Sequence, residues 1–351
     1  MTDSIFKKPI IECVPNFSEG KDTSIINNIV QSIKETPDTK ILNVSSSPYA
    51  NRTVVTFISS PSNIGKAIYQ AYKSAYDLID MTKHIGIHPR IGALDVCPII
   101  PISQVSETDC VKIIHTIAPV LAHDFKIPLF CYGLAALNKA NRHIAPIRQG
   151  GYESLESRLN ASIFPDFGTN FYNPKFGAGF IGVRPLLIAY NINLKNCKDY
   201  QAKIIAKNLR QARDYPSKIK LDTSINLNII HTIKQKYNLQ GVQFYAWTSG
   251  DFSQIAMNIT DYNLTSPYTA YCAVKETASF FNIEIGEAEL VGLIPLKAVL
   301  KSAHEYLNAD NTKGLNLDIN LLKTGFKSIG IDTSALKYEP VLEYQIINSL
   351  V

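Results

Sequence analysis

One order of short β-branched runs and amphipathic stretches occurs twice in this chain, and it restricts the fold more than any single motif does. In the first half, residues 10–14 form an apolar run stopped by Pro15, and Ile25, Ile26, Ile29, Val30 and Ile33 then recur at helical spacing. Residues 40–44 and 51–58 read as two antiparallel strands, 61–79 as a long amphipathic helix, and 92–102 as a strand. Pro98 and Pro101 favour an edge or a strand end for that last element. In the second half a strand at 186–192, a helix near 200–212, and strands at 242–247 and 253–259 joined by a hairpin turn follow one another. A helix at 267–281, opened by Pro267, and a short strand from 283 complete the series.

Strand, helix, strand, strand, helix, strand is the order of a ferredoxin-like unit. The first copy carries an extra helix (107–123) and strand (129–132), and the second is followed by helices near 295–306 and 317–329. The expected fold class is α/β (α+β), with two ferredoxin-like α/β subdomains, each a mixed sheet with helices packed on it. The expected domains are 1–182 and 183–351, the second including the C-terminal helices.

Composition excludes several classes. At 351 residues, with 46% hydrophobic and 19% charged side chains, the chain can bury a sizeable core and lacks the signature of disorder. Its net charge of +5 is not gathered into a basic run, which argues against nucleic acid and weakly for anionic ligands. The six cysteines are widely spaced, as in reduced, buried thiols. With no apolar run of 18 residues and no secretory leader, no membrane partner is expected and the location is read as cytoplasmic.

Chemistry gathers in residues 84–98, between a helix and a buried strand. His84 and His88 are four apart, a metal-ligand spacing on a helix, but Gly86 and Pro89 interrupt any helix and no third ligand follows, so no metal is expected. His88 is the better candidate for acid–base work, because imidazole titrates near neutrality. Arg90 has two readings, a bidentate grip on a substrate carboxylate or an anchor to Asp95. For Arg52, Arg148 and Arg184 the alternatives are a substrate carboxylate or a surface ion pair. Asp95, inside an apolar strand, requires a partner. Residues 166–179 mix glycine, proline and aromatics without periodicity, as in a loop that stacks a flat ring or joins two domains. Glycine-rich nucleotide loops and the Gly-x-Ser-x-Gly nucleophile motif are missing.

Several blocks carry a resemblance beyond periodicity. They are Glu12-Cys13-Val14-Pro15-Asn16-Phe17-Ser18-Glu19-Gly20, Asn51-Arg52-Thr53-Val54, Leu78-Ile79-Asp80-Met81, His88-Pro89-Arg90-Ile91-Gly92-Ala93-Leu94-Asp95-Val96-Cys97-Pro98 and Pro165-Asp166-Phe167-Gly168. Two more, Ile188-Ala189-Tyr190-Asn191-Ile192-Asn193-Leu194 and Leu290-Val291-Gly292-Leu293-Ile294-Pro295-Leu296-Lys297-Ala298, lie in the second half. In this order they closely resemble the glutamate formimidoyltransferase family, in a stand-alone form without a cyclodeaminase domain.

The resemblance implies transfer of a formimidoyl group from N-formimino-L-glutamate to N5 of tetrahydrofolate, releasing L-glutamate, in histidine breakdown. It implies tetrahydrofolate as acceptor substrate, a homodimer, and His88 as catalytic residue. It also implies a folate-contacting loop at Gly168, Thr169, Asn170, Phe171, Tyr172, Asn173, Pro174, Lys175, Phe176 and Gly177, with Phe171, Tyr172 and Phe176 toward the pterin. Arg52, Arg90 and Arg184 then receive substrate carboxylates. The chain departs from the family pattern at Ser45, Ile87 and Leu134, where acidic residues are expected. Two alternatives follow from these departures and from the resemblance: a folate-binding protein with weak or lost transfer, and formyl transfer between 5-formyltetrahydrofolate and glutamate.

Overall fold

The structure, a computed structural model, describes residues 8–170, 173–210, 232–233, 235–249, 252–308, 319–334 and 338–350. It divides into two compact units between Pro185 and Leu186, and the chain end from Ile346 falls with the first.

The first unit runs β1 (Ile10–Cys13), β2 (Asn16–Phe17), α1 (Thr23–Lys34), β3 (Lys40–Ser47), β4 (Arg52–Ser59), α2 (Ile64–Leu78) and β5 (Leu94–Ser103). After them come α3 (Glu107–Phe125), β6 (Leu129–Gly133), α4 (Ile144–Arg148), α5 (Leu155–Leu159) and β7 (Gly179–Val183). β1 and β2 act as one strand broken at Val14-Pro15, paired antiparallel with β4 on one side and β5 on the other. With β3 beside β4, these strands form the ferredoxin-like core. β7 then adds parallel to β5, and β6 parallel to β7, so the sheet becomes mixed.

Helices α1 to α3 pack on one face through Ile29, Ile33, Ile68, Tyr72, Ile114 and Leu121. The segment from α4 to α5 covers the other through Ile147, Leu155 and Leu159, which meet Val96, Phe130 and Phe180. Each fully buried side chain of this size contributes about 1.5–3 kcal/mol. Covering on both faces explains why β5 reads as a continuous apolar run rather than an alternation. It also corrects the edge position expected for its prolines, because β5 is central. The missing N–H of Pro98 lies opposite the Val14-Pro15 break, where the Val14 N–H donates to the Pro98 carbonyl. β7 pairs only as far as Ile99, so Pro101 interrupts no ladder on that side.

The second unit runs β8 (Ile188–Leu194), α6 (Asp199–Leu209), β9 (Val242–Ser249), β10 (Phe252–Ile259), α7 (Pro267–Phe280) and β11 (Ile285–Val291). α8 (Leu296–Tyr306) and α9 (Ile319–Ser328) follow, and α10 (Leu342–Leu350) begins in this unit, which ends at Gln345. Its four strands lie in the order β11-β8-β10-β9. This is the ferredoxin-like arrangement again, but the sheet is wholly antiparallel and not mixed, because each crossover skips one place that an antiparallel strand fills. Tyr190, Ile192, Phe244, Ile255 and Met257 bury one face against the helices, and the Tyr190 hydroxyl donates to the Ile329 carbonyl. The opposite face carries Asn191, Asn193 and Gln254.

Backbone approach fixes the join between residues 91–93 and 176–178. Ala178 N–H donates to Ile91 O at 3.0 Å and Ala93 N–H to Phe176 O at 2.8 Å. Gly177 has φ +78°, and a Cβ there would lie 2.2 Å from Ile91 O. Gly177→Ala is therefore expected to lower stability by about 2 kcal/mol or more in urea melts; an unchanged midpoint contradicts the close approach.

Candidate active site

Three of the sequence blocks meet at the loop between α2 and β5. Asn51, at φ +47°, is their junction. Its side-chain oxygen accepts from Gly20 N–H at 2.9 Å, its amide donates to Ile85 O at 2.9 Å, and its carbonyl accepts from His84 Nε2 at 2.9 Å. Ser18 donates to Gly92 O at 2.7 Å and closes the base of the loop. The His-Pro-Arg segment is thus held from both ends.

Arg90 locks the loop from within. Its Nε donates to His84 Nδ1 at 3.1 Å, its Nη2 to His84 O at 3.2 Å, and its two terminal nitrogens grip Glu153 at 2.9 and 2.7 Å. Four of its five N–H groups are therefore committed. The anchor is Glu153 and not Asp95, and the donors expected to receive a substrate carboxylate are spent on the loop. Both ring nitrogens of His84 are also engaged, which leaves it no lone pair for a metal and makes it a structural histidine. Among the described residues no group of three or more His, Cys, Asp or Glu is arranged to hold a metal ion.

Asp95 is fully buried, and two guanidinium groups share its Oδ2: Arg52 Nη1 at 2.8 Å and Arg148 Nη2 at 2.8 Å. Its Oδ1 accepts from Ile91 N–H at 2.9 Å. Burial pushes the Asp95 carboxyl up, but Arg148, Arg52 and the Ile91 N–H outweigh it and hold the group below the usual carboxylate range. Burial lowers Arg52 in turn. Arg148 lies over the Phe180 ring at 5.5 Å, and Arg52 Nε donates to Asn16 Oδ1 at 3.2 Å. Arg52 and Arg148 are therefore not surface ion pairs. Two cations on one carboxylate leave an excess positive charge, and the Arg148 Nε is buried with no hydrogen-bond partner.

His88 sits half-buried beside this cluster. Its Nδ1 lies 2.8 Å from the Pro89 carbonyl, which only accepts, so Nδ1 carries the proton and Nε2 holds the lone pair. Burial first, then the charges of Arg52 and Arg148, push its pKa down to about 3, against the weaker pull of Asp95. The imidazole is a neutral base at physiological pH.

The loop at 168–177 divides. Gly168, Thr169 and Asn170 are exposed, as are Pro174 and Lys175, while Asn173 caps its own turn by accepting from the Lys175 and Phe176 N–H groups. Tyr152 donates to Pro174 O at 2.5 Å and Met81 N–H to Lys175 O at 2.9 Å. Phe176 is a correction: it is fully buried in the core, with Tyr72 stacked at 6.0 Å, because its backbone is tied to Ala93, so it does not face a pterin. Phe171 and Tyr172 lie outside the described residues. Arg184 donates to Pro185 O at 2.9 Å and forms no ion pair among the described residues. Ile87 and Leu134 are exposed, and Ser45 pairs with Val54 across β3 and β4. Glu153 has no local signature, being 63 positions from Arg90, whereas Asn51 heads the shared block Asn51-Arg52-Thr53-Val54 but carries no role that sequence assigns to it.

A mixed sheet and an antiparallel one, with the unprotonated Nε2 of His88 beside an arginine pair, describe a two-unit α/β protein whose candidate site joins a neutral imidazole to a buried cation-rich cluster. The family models narrow this: "Formiminotransferase domain, N-terminal subdomain" matches residues 10–184 and "Formiminotransferase domain" matches residues 189–348. Formimidoyltransferase-cyclodeaminase of Rattus norvegicus is 35% identical over 347 residues, 97% of this chain and 60% of that protein. Glutamate formimidoyltransferase of Streptococcus pyogenes serotype M1 is 31% identical over 86% of this chain and 94% of its own length. That of Thermoplasma acidophilum is 33% identical over 85% and 92%. The chain belongs to the formiminotransferase family, and it spans about 60% of the length of the rat cyclodeaminase relative.

The low His88 value has a consequence for pH. The unfolded chain takes up the proton first as pH falls from 6.5 toward 3, so His88 subtracts stability across that window and not above it. In NMR titrations of the unliganded protein, the His88 ring signals are expected to stay fixed over about pH 5–8, where an ordinary histidine changes charge. A midpoint near 6.5 contradicts the assigned environment.

Proposed function

We propose that this chain is a glutamate formimidoyltransferase, moving the formimidoyl group of N-formimino-L-glutamate to N5 of tetrahydrofolate. The observation that carries the reading is the free Nε2 of His88 beside the Arg52–Asp95–Arg148 cluster, in a chain of this family. N5 attacks the amidine carbon and forms the new N–C bond. His88 Nε2 accepts the N5 proton and returns it to the glutamate nitrogen as the old C–N bond breaks. The amidine C=N is regenerated, and L-glutamate leaves.

A base at about 3 is a poor proton acceptor, and the cause of that value suggests the remedy. Both substrates are carboxylates. An anion beside Arg52 and Arg148 offsets the charge that depresses His88 and brings it toward the working range. Arg52, Arg148 and Arg184 are the arginines we assign to substrate, while Arg90 holds the loop. Gly168, Thr169, Asn170, Asn173, Pro174, Lys175 and Gly177 remain the loop we assign to folate, with tetrahydrofolate as acceptor. Location in the cytoplasm, a role in histidine breakdown and a homodimer belong to the same proposal.

A second reading, folate binding with weak transfer, draws on one observation. The oriented nitrogen of His88 faces a backbone carbonyl where a carboxylate partner would raise its basicity, and Ser45, Ile87 and Leu134 supply no acid. Purified protein supplied with N-formimino-L-glutamate and tetrahydrofolate is expected to form product that acid converts to 5,10-methenyltetrahydrofolate, followed by its absorbance. Tight folate binding without product favours the second reading; a parallel assay of 5-formyltetrahydrofolate with glutamate ranks formyl transfer. His88→Ala is expected to lower kcat by about 10²-fold or more while folate affinity stays within about tenfold. Wild-type turnover in that variant removes His88 from the mechanism.

A further inference from the structure

Residues 149–153 take no part in proton transfer, yet with Arg148 they touch three separate pieces of the candidate site, all within the first unit. Arg148 Nη2 donates to Asp95 Oδ2 on β5 at 2.8 Å, and the Tyr152 hydroxyl donates to Pro174 O at 2.5 Å. The Glu153 carboxylate accepts from both terminal nitrogens of Arg90, at 2.7 and 2.9 Å, and the Arg90 guanidinium lies 5.7 Å from the centre of the Tyr152 ring. One short segment therefore reaches the buried carboxylate, the 173–175 turn and the His-Pro-Arg loop. Its ends are fixed: Ile147 and Leu155 are buried on the sheet, and Arg158 donates to the carbonyls of Pro146, Ile147 and Gln149. Between them Gly150 and Gly151, at φ +80° and +66°, close a turn in which Gly151 N–H donates to Arg148 O at 2.9 Å.

We propose that Glu153 is a positioning residue for His88, acting through Arg90, and that residues 148–153 form a strap holding the His-Pro-Arg loop and the 173–175 turn in fixed register. The proposal rests on the reading of His88 as the base and of residues 168–177 as the acceptor loop. The Glu153 side chain is 66% exposed and fills no part of the core, whereas Arg90 opposite it is 9% exposed. An ion pair at such a surface adds little stability, so a bidentate grip there acts chiefly on geometry. Geometry is what His88 depends on, because its ring is oriented by the Pro89 carbonyl, a contact inside its own loop. The ring goes where the loop goes, and Arg90, two residues on, is the handle that Glu153 holds. Ser45, Ile87 and Leu134 bring no carboxylate to the imidazole, while Glu153 brings one to this handle. A base misplaced by about 1 Å loses on the order of 10²-fold in rate, which gives a distant support a catalytic consequence.

Full-length wild type, Glu153→Gln, Tyr152→Phe and the double variant are compared by two readouts. In NMR titrations without ligand, Glu153→Gln is expected to release the His88 ring from the burial and the Arg52 and Arg148 charges that depress it, against the pull of Asp95. Its signals then move over about pH 5–8, where those of the wild type stay fixed. In formimidoyl transfer, Glu153→Gln is expected to lower kcat about tenfold or more with KM for N-formimino-L-glutamate within about threefold. The double variant is expected to lose less than the product of the two single losses, since both contacts act on one strap. Wild-type ring signals in Glu153→Gln overturn the proposal, whether or not kcat falls. A lower melting temperature with unchanged kcat in the folded protein also overturns it and leaves Glu153 a stabilising ion pair. Losses that multiply overturn the strap and leave two independent contacts. Where the wild type itself shows no transfer, the transferase reading falls, and altered ring signals in Glu153→Gln still support the positioning role.

Discussion

One buried carboxylate organises the first unit's chemistry. Asp95 sits on the central strand with no exposure to solvent, and it is tolerable there because Arg52, Arg148 and the Ile91 N–H surround it. Removing one partner from such a cluster typically costs about 3–5 kcal/mol, since the remaining charge stays buried. The cluster ties together the start of β4, the loop before β5 and the end of α4. In doing so it brings two guanidinium groups to the side of His88 and leaves an excess of cation over anion there.

That same excess sets the state of the imidazole. His88 is oriented through Nδ1 by a backbone carbonyl and kept unprotonated by burial and by the arginines. Rigid support comes from Arg90, whose fork is filled by Glu153 and His84. Arg90 and Arg52 are both arginines of short shared motifs, yet they do different work: one holds the loop, the other sets its field. The glycines at 92 and 177 let the loop and the 173–177 turn meet backbone to backbone, so the two motifs form one structure.

The second unit repeats the fold without repeating the chemistry. Its helices cover one sheet face with Tyr190, Ile192 and Ile255, and the other face carries amides and a carboxylate in register. The alternation of Asn191 and Asn193 with Tyr190 and Ile192 follows from the two-residue period of a strand. An amide network on such a face is favourable only if each member is satisfied, and among the described residues the Gln254 carbonyl oxygen is buried with no hydrogen-bond partner.

Much of this was written in the chain. The repeated order of elements, the apolar faces of α1 and α2, the paired strands and the motif around His88 follow from periodicity and turn chemistry, which act over a few residues. The central place of β5 was not legible from Pro98 and Pro101, because their tolerance depends on a break in a neighbouring strand. Nor was the burial of Phe176 in a loop of glycine and proline. The pairing of charges was decided only by the tertiary structure: Arg90 with Glu153, and Arg148 with Asp95 across 53 positions. Local sequence sets which residues can be helical or extended, whereas ion pairing and pKa depend on distance through space, and only the folded sheet supplies that distance.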